Sequence, residues 1–255
     1  MSRRGTFQEE QIPGGWLLGL DLGQAQDFSA IVLVERVITL LDHNELSNPA
    51  DDAWHAAWDG RAPRSVPQRA KRMAYHVRRA RRLPLGTPYP EVVQEVGQAL
   101  RTVRADALAS APPLSRFQRA IRSTEPPVPI LAVDATGVGR PVVDMIRAAG
   151  LPAHMVPVTI TGGNAVTPDG DGYMVPKRDL VAAVQVPLQT GGLKFPKRQR
   201  WAETLRAELS NFRVKVSLNG SDTYGAWRER DHDDLVLALA LAIWCGQKLA
   251  PVGPL

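Results

Sequence analysis

Short apolar runs separated by turns dominate the first part of the chain. Residues 16–22 (WLLGLDL) and 29–36 (SAIVLVER) are rich in leucine, isoleucine and valine, and a turn containing glycine and glutamine separates them. This pattern predicts two central β-strands. A third, basic strand is predicted over residues 73–83. The proline-containing stretch 87–90 then leads into a predicted helix over residues 91–109.

The second part of the chain alternates between strand and helix patterns. The apolar run 128–133 ends at Asp134, and the small-residue turn ATGVG follows it. A helix over residues 141–149, closed by Gly150, completes a strand, turn and helix unit. The remaining predicted elements are a strand over 155–160, a hairpin tip over 162–172, helices over 179–189 and 200–212, and a last helix over 231–248 that is apolar on nearly every face.

This order of elements predicts an α/β fold with a mixed sheet and helices on both of its faces. We expect one domain over residues 1–255, with a polar leader at 1–15 and an irregular basic insert at about 43–72. Trp54 and Trp58 lie four residues apart in the insert and are compatible with a short helix. A chain of 255 residues is long enough to bury a substantial core.

Charge is concentrated in one sector of the chain. The net charge is +5, but residues 60–90 contain nine basic side chains and no acidic ones, so the rest of the chain is near −4. Such a sector suits a polyanionic partner, because neutralising phosphates releases counterions. A solvated basic face is the alternative interpretation.

Cysteine content and hydropathy bear on the compartment. The single cysteine, Cys245, excludes an internal disulfide framework and fits a reducing compartment, with inert packing as its expected role. The N-terminus lacks the apolar core of a secretory signal, and the longest apolar stretch spans residues 235–245, about half of a membrane helix. A cytoplasmic protein is expected.

Acidic residues terminate the most apolar predicted strands. Asp21 and Asp134 each end such a strand before a glycine-containing turn, and Asp233 and Asp234 open the last helix. A buried carboxylate is costly without a compensating cation or hydrogen-bond donors. If the helix begins at the same sheet edge, these acids converge, and divalent cations relieve their mutual repulsion.

Each acid alone has a plainer interpretation. An aspartate after a strand is often a turn former, and aspartates at a helix start commonly cap it. Capping does not explain why isolated acids end the two most apolar strands. His232 is a candidate supporting group or a capping residue, and Asp27 could reach the same site from the turn. The sequence does not separate Asp233 from Asp234 as the direct ligand.

Four carboxylates suit a pair of Mg²⁺ or Mn²⁺ ions. Two such ions held roughly 3.5 to 4 Å apart activate water and stabilise the leaving oxygen in phosphodiester cleavage. Oxygen ligands favour hard cations over zinc, and no histidine and cysteine spacing in the chain suggests a zinc site. The acids therefore predict a metal-dependent nuclease.

Several motifs carry a family resemblance. GLDLGQAQDFSAIVLVE, LAVDATGVGRPVVDMI, VPKRDLV and HDDLVLALALA resemble the nuclease domain of tailed-phage large terminase subunits, over about residues 16–249. The resemblance implies a ribonuclease H-like fold that cuts double-stranded concatemeric DNA during genome packaging with two divalent ions. It implies Asp21, Asp134 and Asp234 as catalytic metal ligands, with Asp233 and Asp27 in support.

The resemblance also implies DNA contacts and partners. Residues 161–177 correspond in position to a hairpin near the DNA, with Lys177 and Arg178 as phosphate-contact candidates. The basic stretch adds four further candidates, Arg78, Arg79, Arg81 and Arg82. The implied partners are double-stranded DNA, a packaging ATPase, a small terminase subunit and a portal, in a bacterial cell carrying a phage or prophage.

One motif of a complete large terminase does not occur. A packaging ATPase needs a phosphate loop ending in Gly-Lys-Ser/Thr, and no Gly-Lys pair occurs in these 255 residues. We therefore expect only the cutting half, as a separately encoded nuclease subunit, a prophage remnant or a free-standing homologue.

Three other functions stay open at the level of sequence. An actin-like or sugar-kinase-like phosphotransferase would explain LDLGQ and VDATGVG as phosphate turns, but such proteins are generally longer. A Holliday-junction resolvase-like nuclease would share the fold and metals. A non-catalytic nucleic-acid-binding module would bind DNA in a salt-sensitive way without cleaving it.

Overall fold

The structure is a computed structural model, and it describes seven stretches of the chain. They are residues 10–23, 27–40, 71–110, 128–137, 139–196, 199–211 and 233–249. Most of the predicted basic insert, the possible helix at Trp54 and Trp58, and His232 lie outside the described residues.

Within these stretches the chain forms eight strands and five helices. The strands are β1 (Glu10–Asp21), β2 (Ala30–Leu40), β3 (Lys71–Arg82), β4 (Ile130–Asp134), β5 (His154–Thr161), β6 (Thr167–Asp169), β7 (Gly172–Pro176) and β8 (Leu193–Lys194). The helices are α1 (Tyr89–Ser110), α2 (Gly139–Ala148), α3 (Lys177–Gln189), α4 (Arg200–Asn211) and α5 (Asp234–Lys248).

The predicted elements that fall on described residues are present, with two differences. β1 begins at Glu10, so part of the predicted polar leader is strand. The predicted hairpin tip contains β6, which pairs with β7, and the short strands β6, β7 and β8 were not predicted. These strands have three, five and two residues, too few for a periodic pattern.

All eight strands form one mixed sheet in the order β6-β7-β5-β4-β1-β2-β3-β8. β2 is antiparallel to β1 and β3, whereas β1, β4, β5 and β7 run parallel. The central order β3-β2-β1-β4-β5 with an antiparallel β2 is the ribonuclease H-like arrangement, so the predicted fold class is confirmed.

The helices cover the sheet on both faces. On one face α1 and α2 pack against the side chains of Leu18, Leu20, Leu131 and Val133. On the other face α3, α4 and α5 pack against the alternate residues, among them Leu17 and Ala132. Because successive side chains of a strand point to opposite faces, each residue's position in its strand decides which helix layer it meets.

Helix α5 is the central element of the second layer. Twelve of its fifteen residues are buried, as the uniformly apolar pattern predicted. Its carbonyl end is held by the buried Arg36, which donates to the carbonyl oxygens of Gly246 and Leu249 and to that of Gly14 at the bulge in β1. Cys245 is buried within the same helix. Among the described residues, no helix is both long and apolar enough to cross a lipid bilayer.

Candidate functional site

Asp21 and Asp134 end two neighbouring parallel strands. Leu20 of β1 pairs with Val133 of β4, so the next residue of each strand is an aspartate at the same level of the sheet. Adjacent strands lie roughly 4.8 Å apart. Asp21 shares a face with Leu17, and Asp134 with Ala132, and this is the face that α5 covers. The strands therefore place two acids side by side under α5.

Helix α5 crosses β1 so that its first turn reaches the same edge. A Cβ on Gly19 would overlap the carbonyl oxygen of Ala238, and a Cβ on Gly246 would overlap the side chain of Leu17. The helix therefore runs antiparallel to β1, and its N-terminal Asp234 lies one turn beyond Ala238, toward Asp21. All three acids are buried, with exposures of 7% for Asp21, 3% for Asp134 and 6% for Asp234.

Asp134 also shapes the turn that follows it. The backbone N–H of Thr136 donates to Asp134 Oδ1 at 2.8 Å, which is the turn-forming role weighed from the sequence. The Thr136 hydroxyl in turn accepts a hydrogen bond from the Ile160 N–H at 2.9 Å. A Cβ on Gly139 would overlap the backbone carbonyl of Asp134, so this tight turn requires glycine. The turn role and a ligand role are compatible, because a carboxylate has a second oxygen.

The first turn of α5 is capped by a residue from another helix. Glu208 of α4 accepts hydrogen bonds on Oε2 from the backbone N–H groups of Leu235 (3.1 Å) and Val236 (3.2 Å). Asp233 occupies the N-cap position but its side chain makes no capping hydrogen bond. The Asp233 side chain therefore does not cap this helix. Burial raises the pKa of Glu208 to about 7, against the opposing effects of Arg82 and these two N–H groups.

Arg82 joins Glu208 to the helix-borne acid. Its Nη2 donates to Glu208 Oε1 at 2.8 Å, and its Nε lies 3.3 Å from Asp234 Oδ2. The guanidinium also stacks 5.2 Å from the centre of the Phe28 ring. Arg82 pairs with Ala30, and Ala30 pairs with Asp21, so all three lie in one row across the sheet edge.

The carboxylates converge on one edge but are not assembled as a ready cage. Over the stretches that the structure describes, no group of three histidine, cysteine, aspartate or glutamate side chains is placed to hold a metal ion. The Arg82 guanidinium lies 3.3 Å from one carboxylate oxygen of Asp234, so a cation already balances part of the negative charge at this end of the strands.

Asp27 and Asp233 are the two acids predicted to support the metal ligands. Asp27 lies in the turn between β1 and β2, where its backbone packs against Gly23, two residues after Asp21. Asp233 directly precedes α5 and is half-buried. Their ligand roles, like that of His232, stay predictions.

The two phosphate-contact candidates near the hairpin directly follow strand β7. Lys177 and Arg178 open α3 directly after β7. The Arg178 guanidinium donates to the side-chain and backbone carbonyl oxygens of Asn164, at the hairpin, and lies 3.7 Å from Asp179. Arg178 therefore ties the hairpin to α3. The phosphate-contact role of both residues stays a prediction.

The four arginines of the basic stretch do not share one surface. Arg81 forms an ion pair with Glu95 of α1, whereas Arg82 faces the opposite layer, where it meets α4 and α5. Arg78 pairs with Glu35 at the irregularity in the β2–β3 register. Arg79 is exposed. DNA binding by these residues stays a prediction.

Glu208 is the residue of this site that the sequence analysis missed. It follows Ala202 and Leu205 at intervals of three, so it continues the buried stripe of α4. An acid on the apolar face of an amphipathic helix is a signal of a buried polar contact. The sequence alone does not show that its partners lie in β3 and α5.

Comparisons with known proteins give the following results. No protein-family model and no curated protein matches the chain. Among solved structures, the large terminase nuclease of the thermophilic phage G20c is 17% identical, with a TM-score of 0.43, and its zinc-bound form covers 94% of this chain and 88% of its own. The human cytomegalovirus terminase nuclease domain, soaked with manganese and bound to an inhibitor, is 11% identical, with a TM-score of 0.47 and coverages of 91% and 83%.

Proposed function

We propose that this chain is a divalent-metal-dependent DNA endonuclease. One observation carries the proposal: Asp21 and Asp134 are buried side by side at the ends of parallel strands, and the helix bearing Asp234 begins over them. Like charges at this spacing disfavour joint ionisation unless a cation lies between them. A divalent ion is the group that resolves such a cluster and also serves phosphodiester hydrolysis.

The donor set fits magnesium or manganese. Asp21, Asp134 and Asp234 would hold the ions through carboxylate oxygens, with Asp233 and Asp27 as further oxygen donors at the same edge. Two ions are proposed because three to five carboxylate groups supply more negative charge than one ion neutralises. When bound, such ions lower the pKa of water and stabilise charge on the phosphate.

The protein's own contribution is to hold these acids on rigid elements. Asp21 and Asp134 are fixed by the β1–β4 ladder, and Asp234 by a helix packed onto that ladder at Gly19. Lys177 and Arg178, at the start of α3, are proposed to contact the DNA backbone, where they would set its position without reading its sequence.

We further propose that the chain cuts DNA during viral genome packaging. The support is the order of its motifs, from GLDLGQ to HDDLVLALALA. A separate packaging ATPase, a small terminase subunit and a portal are the corresponding partners, and the bacterial cytoplasm is the corresponding compartment.

The test is cleavage of supercoiled plasmid by the purified chain in Mg²⁺ or Mn²⁺. We expect nicked and linear products, which chelation of the metal abolishes. Asp21→Asn and Asp134→Asn should each reduce cleavage by about 100-fold or more, because ligand loss removes the charge that binds the ion. Both variants should still bind DNA in a gel-shift assay.

Asp144→Asn is the matched control. Asp144 is an exposed aspartate whose described ion pair is with Arg147 on α2, so its replacement should leave cleavage unchanged. Cleavage that survives both site substitutions would refute the site. Salt-sensitive DNA binding with no cleavage by the wild-type chain would instead establish a non-catalytic binding module.

A further inference from the structure

Glu208 is bonded to both groups that determine where Asp234 lies. Its Oε2 accepts from the Leu235 and Val236 N–H groups, which directly follow Asp234 in the chain. Its Oε1 accepts from Arg82, the cation that lies against the Asp234 carboxylate. The buried Glu208 side chain therefore contacts both the backbone that follows Asp234 and Arg82, the cation beside the Asp234 carboxylate.

Arg82 is shared between two carboxylates. It donates to Glu208 at 2.8 Å and lies 3.3 Å from Asp234, so the better-formed contact is the one to Glu208. A guanidinium has five donors and can serve both acids at once. A divalent cation on Asp234 would compete with Arg82, because both cations are attracted by the charge of the same carboxylate. Glu208 is a second carboxylate beside Arg82, whose side chain is only 22% exposed, and it keeps the guanidinium in an ion pair when Asp234 binds the cation.

We propose that Glu208 is a positioning residue for the metal site. Glu208 keeps its ion pair with Arg82 when Asp234 binds a divalent cation. The inference rests on the proposed function, because it takes Asp234 as a metal ligand. With Glu208 ionised, Arg82 keeps one carboxylate partner when the Asp234 carboxylate binds the cation instead. Without that charge, one carboxylate fewer competes with Asp234 for Arg82, and the ion pair between Arg82 and Asp234 resists metal binding.

A purely structural role for Glu208 makes a different prediction. A carboxylate at a helix N-terminus stabilises the helix through its N–H groups and dipole. The amide oxygen of glutamine can accept the same N–H bonds but brings no negative charge to Arg82. Glu208→Gln therefore keeps the capping hydrogen bonds and removes the ion pair with Arg82.

The experiment measures Mn²⁺ affinity by calorimetry at about pH 8 for the wild-type chain and Glu208→Gln. We expect the variant to bind Mn²⁺ about 10-fold more weakly, the size of effect typical of residues that support metal ligands. Excess Mn²⁺ should restore its plasmid cleavage, because the site itself is intact. Glu203→Gln, an exposed glutamate on the same helix, is the matched control and should bind as the wild type does.

A double-mutant cycle with Arg82→Gln tests the mechanism. If Glu208 acts by holding Arg82, its replacement should cost little Mn²⁺ affinity once Arg82 is gone. A full 10-fold loss that persists in the Arg82→Gln background would mean that Glu208 acts through its charge at a distance, and would overturn the proposal.

Further outcomes separate this inference from the proposed function. Arg82→Gln alone should bind Mn²⁺ at least as tightly as the wild type. This variant tests the proposal even if Glu208→Gln fails to fold. An Arg82→Gln variant as weak as Asp234→Asn would overturn the inference. Mn²⁺ binding that Asp21→Asn abolishes but Glu208→Gln leaves unchanged would overturn the inference alone, whereas no binding by the wild type would overturn both.

Discussion

Gly19 of β1 lies directly beneath the carbonyl of Ala238 in α5. A Cβ at position 19 would overlap that oxygen and would stand 3.2 Å from the Ala242 Cβ. The missing side chain is what lets the helix approach the strand closely enough to place Asp234 at the level of Asp21.

Gly19→Ala should therefore displace α5 from the sheet. We expect it to lower the free energy of unfolding by about 1–3 kcal/mol, the range for overpacking a tight core, and to weaken Mn²⁺ binding. Chemical denaturation and calorimetry measure the two effects. Gly97→Ala, in helix α1 against the flexible end of a leucine side chain, is the control and should not destabilise the fold, because a helix interior favours alanine over glycine by about 1 kcal/mol. A fully stable Gly19→Ala variant would contradict this packing.

Arg36→Met should destabilise the fold without touching the acids. Arg36 is buried and satisfies the carbonyl oxygens of Gly14, Gly246 and Leu249, at the end of α5 remote from Asp234. Leaving such acceptors without a donor costs about 1–3 kcal/mol each, so for three acceptors we expect a total loss of at least about 3 kcal/mol. Arg101→Met, at an exposed position of α1, should change stability by less than about 0.5 kcal/mol in the same denaturation experiment.

The pH dependence of stability should carry a signature of Glu208. Its pKa is raised from 4.5 to about 7 by burial, so the folded state holds a proton that the unfolded state releases. This contribution is complete below about pH 4.5 and is lost as the pH rises through about 7. In metal-free buffer, the melting temperature of the wild type relative to Glu208→Gln should fall between about pH 5 and pH 8. A difference that does not change over this range would contradict the raised pKa.

Cys245 should be unreactive in the folded protein. Burial raises the pKa of its thiol to about 12, so very little thiolate exists near neutral pH. It is the single cysteine of the chain. A colorimetric thiol reagent at about pH 8 should therefore report almost no reaction in native buffer and one thiol per chain after denaturation. Rapid labelling of the native protein would show that α5 opens readily.

DNA binding should depend on the basic stretch. Arg79 and Arg81 are both exposed on β3, and Arg81 forms an ion pair with Glu95. If the stretch contacts phosphates, Arg79→Gln and Arg81→Gln should each weaken binding several-fold and lower the salt dependence by about one unit. Fluorescence anisotropy over a salt series gives both values. Equal binding by both variants and the wild type would make this surface a solvated face.

The strand-borne acids could be predicted because their signal is local. Asp21 and Asp134 each follow an apolar run that is itself recognisable, and parallel strands bring such ends together. Glu208 could not be placed, because its partners lie 126 residues away in β3 and about 27 residues away in α5. The sequence identified the four clustered arginines as phosphate-contact candidates, but it did not show that strand alternation directs Arg81 and Arg82 to opposite layers.

The burial of α5 on almost every side has an evolutionary consequence. The helix that carries Asp234 is also the centre of one of the two apolar cores. The spacing of the acids is therefore set by core packing and not by loop conformation. Substitutions as distant as Leu17 of β1 or Gly246 of α5, which meet where the helix packs on the strand, would then change activity without approaching the DNA. Divergence of such a protein is expected to be rapid on its exposed helix faces and slow along this one buried contact line.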